Sequence, residues 1–286
     1  MRKGKGKAYG TFGELAQGEV AGQPFLFTLP VPWGSRVVFV PRSSTDLRTN
    51  RPHKKKMLRA AERTMQHLGK RTGGFLSVHS RLPESKGMAS SSADITAAVR
   101  AVASSLETNL TDGEIAAIAA EVEPTDGVMY RGISAVNQQT GQLIRSYPVP
   151  PDLLLIGYDS GGKVNTEKYG LSKREYSLQE RREMQEIFTD MDAALTSNDH
   201  NTIMSTSTRS AMLNERFLPK PFFSLFHELA EKHHGGVVVG HSGTVIGILL
   251  CQKEAAWKEK ARLIEQAVHE RTGWKPIIKA SIPEAN

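Results

Sequence analysis

The strongest constraint on this sequence is a loop of small residues that leads directly into a helix. Residues 82–107 read LPESKGMASSSADITAAVRAVASSLE. The apolar residues of its second half recur at spacings of four, three and four, which is typical of an amphipathic helix with one buried face. These residues are Ile95, Val99, Val102 and Leu106. The loop before them contains Gly87 and three consecutive serines, which are not residues that typically form an apolar core.

Two interpretations of the serines remain open from local chemistry. Ser90, Ser91 and Ser92 could simply cap the helix, as serines often do. Alternatively, the unpaired N–H groups and positive dipole end of the helix attract an anion such as a polyphosphate. In that case Lys86 supplies positive charge and Gly87 permits close approach of the backbone. The two most common phosphate motifs, G-x-G-x-x-G after an opening strand and G-x-x-x-x-G-K-[ST], are missing from this sequence.

The rest of the chain alternates strands and helices without a regular βαβ order, which predicts an α+β fold. Phe25–Leu29 is predicted to pair with Val37–Val40 across the VPWG turn. Helices are expected at about 54–69 and after the capping box Thr111–Glu114. In the second half, a strand precedes the DSGG turn at 159–162, and helices follow it. The GHSG loop then joins two β-branched runs within 235–251, before a final helix and strand.

Composition narrows the class of protein. The 286 residues contain no run of the roughly 18 apolar residues that a membrane span requires, so no membrane partner is expected. Cys251 is the only cysteine, and the N-terminus lacks an apolar secretion segment, so we expect a reducing, cytoplasmic location. The formal net charge of +7 leaves a nucleic-acid-binding protein as an alternative. The only clear basic cluster, RPHKKK at 51–56, has no interleaved aromatic residues, so we expect no nucleic-acid partner.

Three segments in order along the chain resemble the motifs of the GHMP kinases. PESKGMASSSA, beginning at Pro83, is similar to the nucleotide loop P-x-x-x-G-L-x-S-S-A, with Met88 and Ser92 as departures. GTFGELAQGE at 10–19 is similar to the first motif, which lies beside the substrate, and GHSGTVIG at 240–247 to the third, a glycine-rich loop. The resemblance implies a two-lobed fold. The N-terminal lobe, 1–150, would carry a ribosomal-protein-S5-like mixed sheet, and the C-terminal lobe, 151–286, a ferredoxin-like antiparallel sheet packed by helices.

The resemblance also implies roles for individual residues. Asp126 would face the acceptor hydroxyl as the catalytic residue, although an aspartate before a glycine is also a common turn residue. Ser91 would share Mg²⁺ with a carboxylate, for which Glu123 is preferred and Glu121 is the alternative. The expected ATP-binding residues are Lys86, Gly87, Met88, Ala89, Ser90, Ser91 and Ser92, and the expected substrate residues are Glu14, Gln17, Gly243 and Thr244. His241 is expected to be incidental, because the chemistry of the family needs no histidine.

Together these features predict an ATP- and Mg²⁺-dependent kinase for a small alcohol. The combination of GTFGELAQG, KGMASSSAD and EPTDG resembles most the branch that contains the L-threonine kinases of propanediol utilisation and cobalamin synthesis. L-Threonine is therefore the favoured acceptor, with homoserine, another hydroxy amino acid or a natural-product intermediate as alternatives. A non-catalytic ligand sensor that retains the nucleotide pocket is a further alternative. A homodimer is possible on these grounds.

Overall fold

The computed structural model of the protein describes residues 2–164 and 174–282. These residues form ten strands and seven helices. The strands are β1 (Gly4–Val20), β2 (Gln23–Arg42), β3 (Leu47–Thr49), β4 (Gly73–Ser80), β5 (Ile133–Val136), β6 (Leu143–Tyr147), β7 (Leu153–Asp159), β8 (Gly236–Val239), β9 (Val245–Cys251) and β10 (Ile278–Ser281). The helices are α1 (Lys55–His67), α2 (Ser90–Ser105), α3 (Asp112–Ala120), α4 (Leu178–Ser197), α5 (His200–Glu215), α6 (Phe223–His233) and α7 (Trp257–Thr272).

The strands form one continuous sheet in the order β10-β7-β9-β8-β1-β2-β4-β3, with β5 and β6 attached beside β2. The N-terminal part is mixed, because β3 pairs parallel with β4, whereas β7, β8, β9 and β10 pair antiparallel. The two parts meet where β1 pairs with β8 at Glu14 and Val239. This two-lobed α+β architecture confirms the predicted fold class. The lobe boundary between residues 150 and 151 stays a prediction.

One predicted strand pairing is wrong. Phe25–Leu29 and Val37–Val40 do not pair with each other, because both belong to the single long strand β2, which passes through VPWG. The hairpin partner of β2 is β1, and the turn lies at Ala21 and Gly22, both with positive φ. Register shifts in the β1–β2 ladder, such as the one between Tyr9 and Gly10, let the hairpin bend without ending. A proline and glycine segment that resembled a turn is therefore an irregular stretch inside a strand.

Helix α2 is buried around most of its circumference, which extends the single buried face predicted from its sequence. It packs against β1 and β2 on one side and against α1 and α3 on the others. Only small residues allow this approach: a Cβ atom on Gly6 of β1 would lie 2.0 Å from the Ala97 carbonyl oxygen. The buried carboxylate of Asp94 is compensated by Lys54 and by the Ser35 hydroxyl, which lies 2.5 Å away. The start of α2 is therefore held rigidly against the sheet.

Helices α3, α4 and α5 each begin after a residue whose side chain caps the first turn. The predicted capping box of α3 is present, with Thr111 and Glu114 each bonding the other's backbone N–H.

In the second half, Ile246 and Ile248 of β9 belong to the core that includes α6 and α7. Their neighbours Val245 and Leu249 belong to the core that includes α4 and α5. Both faces of β9 are buried, which explains its nearly continuous apolar run. Within the described ranges, no helix combines the length and apolar character needed to cross a bilayer.

Candidate active site

The small-residue loop leaves the first turn of α2 open to a ligand. The residue at the N-cap is Ala89, in a left-handed conformation with φ of 53°, so none of the three serines occupies the capping position. No side chain caps the helix. The amides at the start of an α-helix have no acceptor within the helix. Gly87, with φ of 81°, brings the preceding backbone alongside this turn. The loop therefore offers main-chain donors at the positive end of a helix dipole.

The three motifs found in the sequence meet through main-chain contacts. The Gly13 amide donates to the Gly87 carbonyl oxygen at 2.9 Å, and the Thr244 amide donates to the Lys86 carbonyl oxygen, also at 2.9 Å. Gly87 and Gly243 face each other so closely that a Cβ atom on Gly243 would lie 2.4 Å from the Gly87 Cα atom. Segments more than 70 residues apart along the chain thus form a single structure around the start of α2.

The Lys86 ammonium is engaged by the second lobe. Its Nζ atom lies 2.7 Å from Asp159 Oδ2 and donates to the Gly162 carbonyl oxygen at 2.7 Å. The Thr244 hydroxyl donates to Asp159 Oδ1 at 2.6 Å. Burial would raise the pKa of Asp159, but the hydrogen bonds from Lys86 and Thr244 hold that pKa below its usual value. The DSGG turn is thereby joined to the small-residue loop, and the role of Lys86 as a phosphate ligand stays a prediction.

The structure separates the two carboxylates considered for the metal. Glu123 is largely buried and accepts a hydrogen bond from the Ser91 hydroxyl, while its other oxygen lies 2.5 Å from Lys56 Nζ. Glu121 is on the surface, with its side chain 59% exposed and 3.6 Å from Arg63. The geometry therefore brings only Glu123 to the predicted serine. The metal-binding roles of Ser91 and Glu123 stay predictions.

Asp126 lies beside the first turn of α2. The Ser92 hydroxyl donates to Asp126 Oδ2 at 3.1 Å, and the Gln138 side-chain amide donates to Oδ1 at 3.3 Å. Although part of the Asp126 side chain is accessible, protein atoms surround most of it. Burial, followed by the negative charges of Glu14 and Glu123, raises the pKa of Asp126 to about 7. A carboxyl group with this pKa can exchange a proton near neutral pH.

A buried hydrogen-bonded chain holds Glu14, the candidate substrate residue of the first motif. Glu14 Oε2 accepts from the backbone N–H of His241 at 3.0 Å and lies 3.1 Å from His241 Nδ1. His241 Nε2 lies 2.9 Å from the Ser210 hydroxyl, which also accepts from the Gln17 backbone N–H at 3.1 Å. The acceptor-only carboxylate of Glu14 requires the ring Nδ1–H of His241 to donate to it, and the Ser210 hydroxyl bonds the opposite ring nitrogen, Nε2.

The same series of hydrogen bonds continues to the candidate catalytic residue, Asp126. The Gln17 side-chain amide donates to Gln138 Oε1 at 3.0 Å, and Gln138 bonds Asp126. The structure thus brings together Glu14, Gln17 and Asp126, whereas the Thr244 hydroxyl points to Asp159. Sequence reasoning missed three members of this network: His241, Ser210 and Gln138. No local signal identifies Ser210 or Gln138, although the position of His241 in the glycine loop could have indicated a role.

Comparisons with known proteins identify the family to which this sequence is related. Residues 55–133 match the family model described as the GHMP kinases N-terminal domain. An L-threonine kinase from Citrobacter freundii is 31% identical over 246 residues, which cover 83% of this chain and 83% of that protein. An L-threonine kinase from Salmonella typhimurium is 29% identical and covers 84% of this chain and 81% of that protein.

The protein belongs to the GHMP kinase superfamily, in its L-threonine kinase branch. The likeness of fold extends to a homoserine kinase crystal structure from Cytophaga hutchinsonii, with a TM-score of 0.75 and 16% identity, covering 99% of this chain and 96% of that one. The family resemblance predicted from three motifs is confirmed. This GHMP kinase is a phosphotransferase that acts on a hydroxyl group, with ATP and a small hydroxylated compound as its substrates.

Proposed function

We propose that this GHMP kinase transfers the γ-phosphate of ATP to the side-chain hydroxyl of L-threonine, with Mg²⁺ as cofactor, giving O-phospho-L-threonine. The observation that carries the proposal is the similarity to two L-threonine kinases over more than four fifths of the chain. The site geometry supports it, because the start of α2, a serine–carboxylate pair and Asp126 lie side by side. Phosphoryl transfer requires mainly such positioning and neutralisation of charge.

Asp126 is the group proposed to face the acceptor hydroxyl. Its two carboxylate oxygens are oriented by different partners, Ser92 and Gln138. In its ionised form Asp126 accepts the hydroxyl proton as the oxygen attacks phosphorus, and the raised pKa makes the carboxylate a stronger base than an ordinary aspartate. The protonated acid can then release this proton to solvent through its accessible edge.

The residues beside the start of α2 fit a magnesium ion by their donor chemistry. Mg²⁺ binds oxygen ligands and usually completes its octahedron with phosphate oxygens and water. The Ser91 hydroxyl and the Glu123 carboxylate are already in contact and would hold the ion. Across the described ranges, no group of three or more His, Cys, Asp or Glu side chains could form a metal site. An ion held by one serine, one carboxylate and the nucleotide is consistent with that finding. Bound there, it would neutralise the charge of the phosphates.

An acceptor panel tests the proposed reaction. Formation of ADP is measured with MgATP and L-threonine, L-serine, L-homoserine or no acceptor. We expect L-threonine to give the highest kcat/KM and O-phospho-L-threonine to be the product found by mass spectrometry. Turnover of L-threonine no faster than the rate without acceptor would refute this choice of substrate, and a higher kcat/KM for homoserine would replace it.

A pair of matched variants tests the metal assignment. Glu123→Gln removes the charge next to Ser91, whereas Glu121→Gln removes the charge of an exposed carboxylate two residues earlier. We expect the concentration of Mg²⁺ that gives half-maximal activity to rise about tenfold or more in the first variant and to stay within twofold in the second. Equal behaviour of the two variants would show that Glu123 does not hold the ion.

A further inference from the structure

Within the described part of the chain, Lys220 is a buried ammonium group without a carboxylate partner. It lies between α5 and α6, is 5% exposed, and donates from Nζ to the Leu218 carbonyl oxygen at 3.0 Å. Among residues 2–164 and 174–282, no carboxylate comes within ion-pair distance of this ammonium. A buried charge is costly unless it is paired and fully hydrogen-bonded. The carboxylate of a bound ligand would provide the partner that the described residues do not.

The electrostatic surroundings of Lys220 are consistent with this interpretation. Burial lowers the pKa of Lys220 to about 8, against the opposing effects of Glu215 and Glu14, and the nearby Arg174 lowers it further. The Glu215 carboxylate accepts from the Lys220 backbone N–H at 2.9 Å rather than from the ammonium. A ligand carboxylate next to Nζ would add the favourable charge that the site lacks.

Lys220 belongs to the same neighbourhood as the reacting groups. Glu14 raises the pKa of Asp126 and also acts on Lys220, so this buried carboxylate is electrostatically coupled to both. Asn214 and Ser210 are one turn apart on α5, and Ser210 belongs to the chain that holds Glu14. Arg174 donates to Asn214 Oδ1 at 3.2 Å and to the His241 carbonyl oxygen at 2.9 Å, which fixes a second cation beside this group.

The Lys220 ammonium and the Glu14 carboxylate are buried, opposite in charge and not in direct contact. Such a pair is complementary to a zwitterion. Glu14 is 4% exposed, and its Oε2 atom contacts the backbone N–H and the ring Nδ1 of His241. An α-amino acid carries an ammonium and a carboxylate on one carbon, so it can satisfy both residues at once. We propose that Lys220 binds the carboxylate of the acceptor amino acid while Glu14 binds its ammonium. This assignment rests on the proposed function, since it requires an amino-acid acceptor.

The test compares two acceptors that differ only in the group that Lys220 would bind. L-Threonine and L-threoninamide share the hydroxyl and the ammonium, but the amide has no carboxylate charge. We expect the wild-type enzyme to prefer L-threonine about tenfold or more in kcat/KM, because a charge-assisted hydrogen bond in a buried site is lost with the amide. In Lys220→Met the preference should fall below about twofold, through a higher KM for L-threonine and with the KM for ATP unchanged.

Controls separate recognition from damage to the fold. Lys253→Met removes an exposed lysine of the same type and should retain the wild-type preference. Lys220→Gln provides a second neutral side chain, and thermal unfolding with and without L-threonine reports binding independently of turnover. A preference that is unchanged in both Lys220 variants overturns the inference alone. Absence of wild-type turnover with every amino-acid acceptor overturns both the inference and the proposed function.

Discussion

The candidate site has a phosphate side and an acceptor side, which differ in the kinds of residues that form them. The proposed phosphate side is built largely from small residues, and Gly87, Gly243 and the Thr244 amide meet there through main-chain hydrogen bonds and close backbone packing. The proposed acceptor side consists of buried polar side chains such as Glu14, His241 and Lys220, and Glu14 and His241 contact each other from distant segments. A triphosphate can be bound through backbone N–H groups, which every residue except proline possesses. Recognition of one alcohol among many requires particular side chains.

This difference suggests how the two sides respond to substitution. On the phosphate side, the identity of a side chain matters mainly because a larger one would not fit. On the acceptor side, a substitution that preserves volume still removes a charge or a proton. The following predictions use this contrast, beginning with the change expected to have the largest effect.

Asp126→Asn should abolish most of the reaction while leaving both ligands able to bind. An amide keeps the shape of the carboxylate but cannot accept the hydroxyl proton, so kcat should fall by about 10²- to 10⁴-fold. The Kd for ATP and for L-threonine, measured by calorimetry, should stay within about threefold of the parent. If parent and variant bind alike and neither turns over, the protein is a ligand sensor instead of an enzyme.

Gly243→Ala tests the packing of the phosphate side. The added Cβ atom would lie 2.2 Å from the Lys86 carbonyl oxygen, so one of the two loops must shift. We expect the KM for ATP to rise at least about tenfold, since displaced amides no longer converge on the phosphates. Gly113→Ala is a suitable control, because its Cβ atom would meet no described atom within 4 Å beyond its chain neighbours and the backbone of its own helix. Similar ATP kinetics in the two variants would contradict the proposed role of the loop contact.

Two substitutions of His241 test the acceptor side. The side-chain N–H of asparagine can occupy the place of Nδ1–H, whereas glutamine places its amide nearer to Nε2. His241→Asn should therefore keep the hydrogen bond to Glu14, and His241→Gln should lose it. We expect the KM for L-threonine to rise about tenfold in the glutamine variant and no more than about threefold in the asparagine variant, with the KM for ATP unchanged in both. The reverse order would show that the contact with Ser210 matters more.

The pH dependence of stability should reveal the cost of ionising Asp126. Its pKa is about 7 in the folded protein, above the ordinary aspartate value of 3.8. Below pH 4 both states are protonated, and as the pH rises toward 7 the folded state loses stability relative to the unfolded state. Asp126→Asn lacks this loss, so its stability relative to the parent should increase by up to about 1.4 kcal/mol per pH unit between pH 4 and 7. Urea denaturation of both proteins at pH 5 and 7.5 measures the difference in their free energies of unfolding. The same difference at both pH values would refute the raised pKa of Asp126.

The contrast between the two sides also explains what could be predicted from the sequence. The proposed phosphate side depends on consecutive residues, so the stretch from Lys86 to Ser92 could be predicted from local sequence. The capping box of α3 was predicted in the same way, and the structure contains it. The choice between Glu121 and Glu123 stayed open, because it depends on which way each side chain points after α3 ends.

The acceptor side was only partly predictable for a physical reason. Glu14 and His241 are 227 residues apart and meet only after β1 has paired with β8. Lys220 shows no sequence pattern that distinguishes it from other lysines, and its burial depends on how α5 and α6 pack. The β1–β2 hairpin was misplaced because register shifts allow a strand to continue through residues that usually form turns.

The ladder contact between Glu14 and Val239 has one more consequence. Glu14 is both the residue of β1 that pairs with β8 and a candidate substrate ligand. A cut in the polypeptide between residues 150 and 151 would leave the small-residue loop and Asp126 on one fragment, and Lys220 and His241 on the other. Because only associated fragments would contain all of these residues, the turnover rate of the split enzyme would measure how much of it has reassembled.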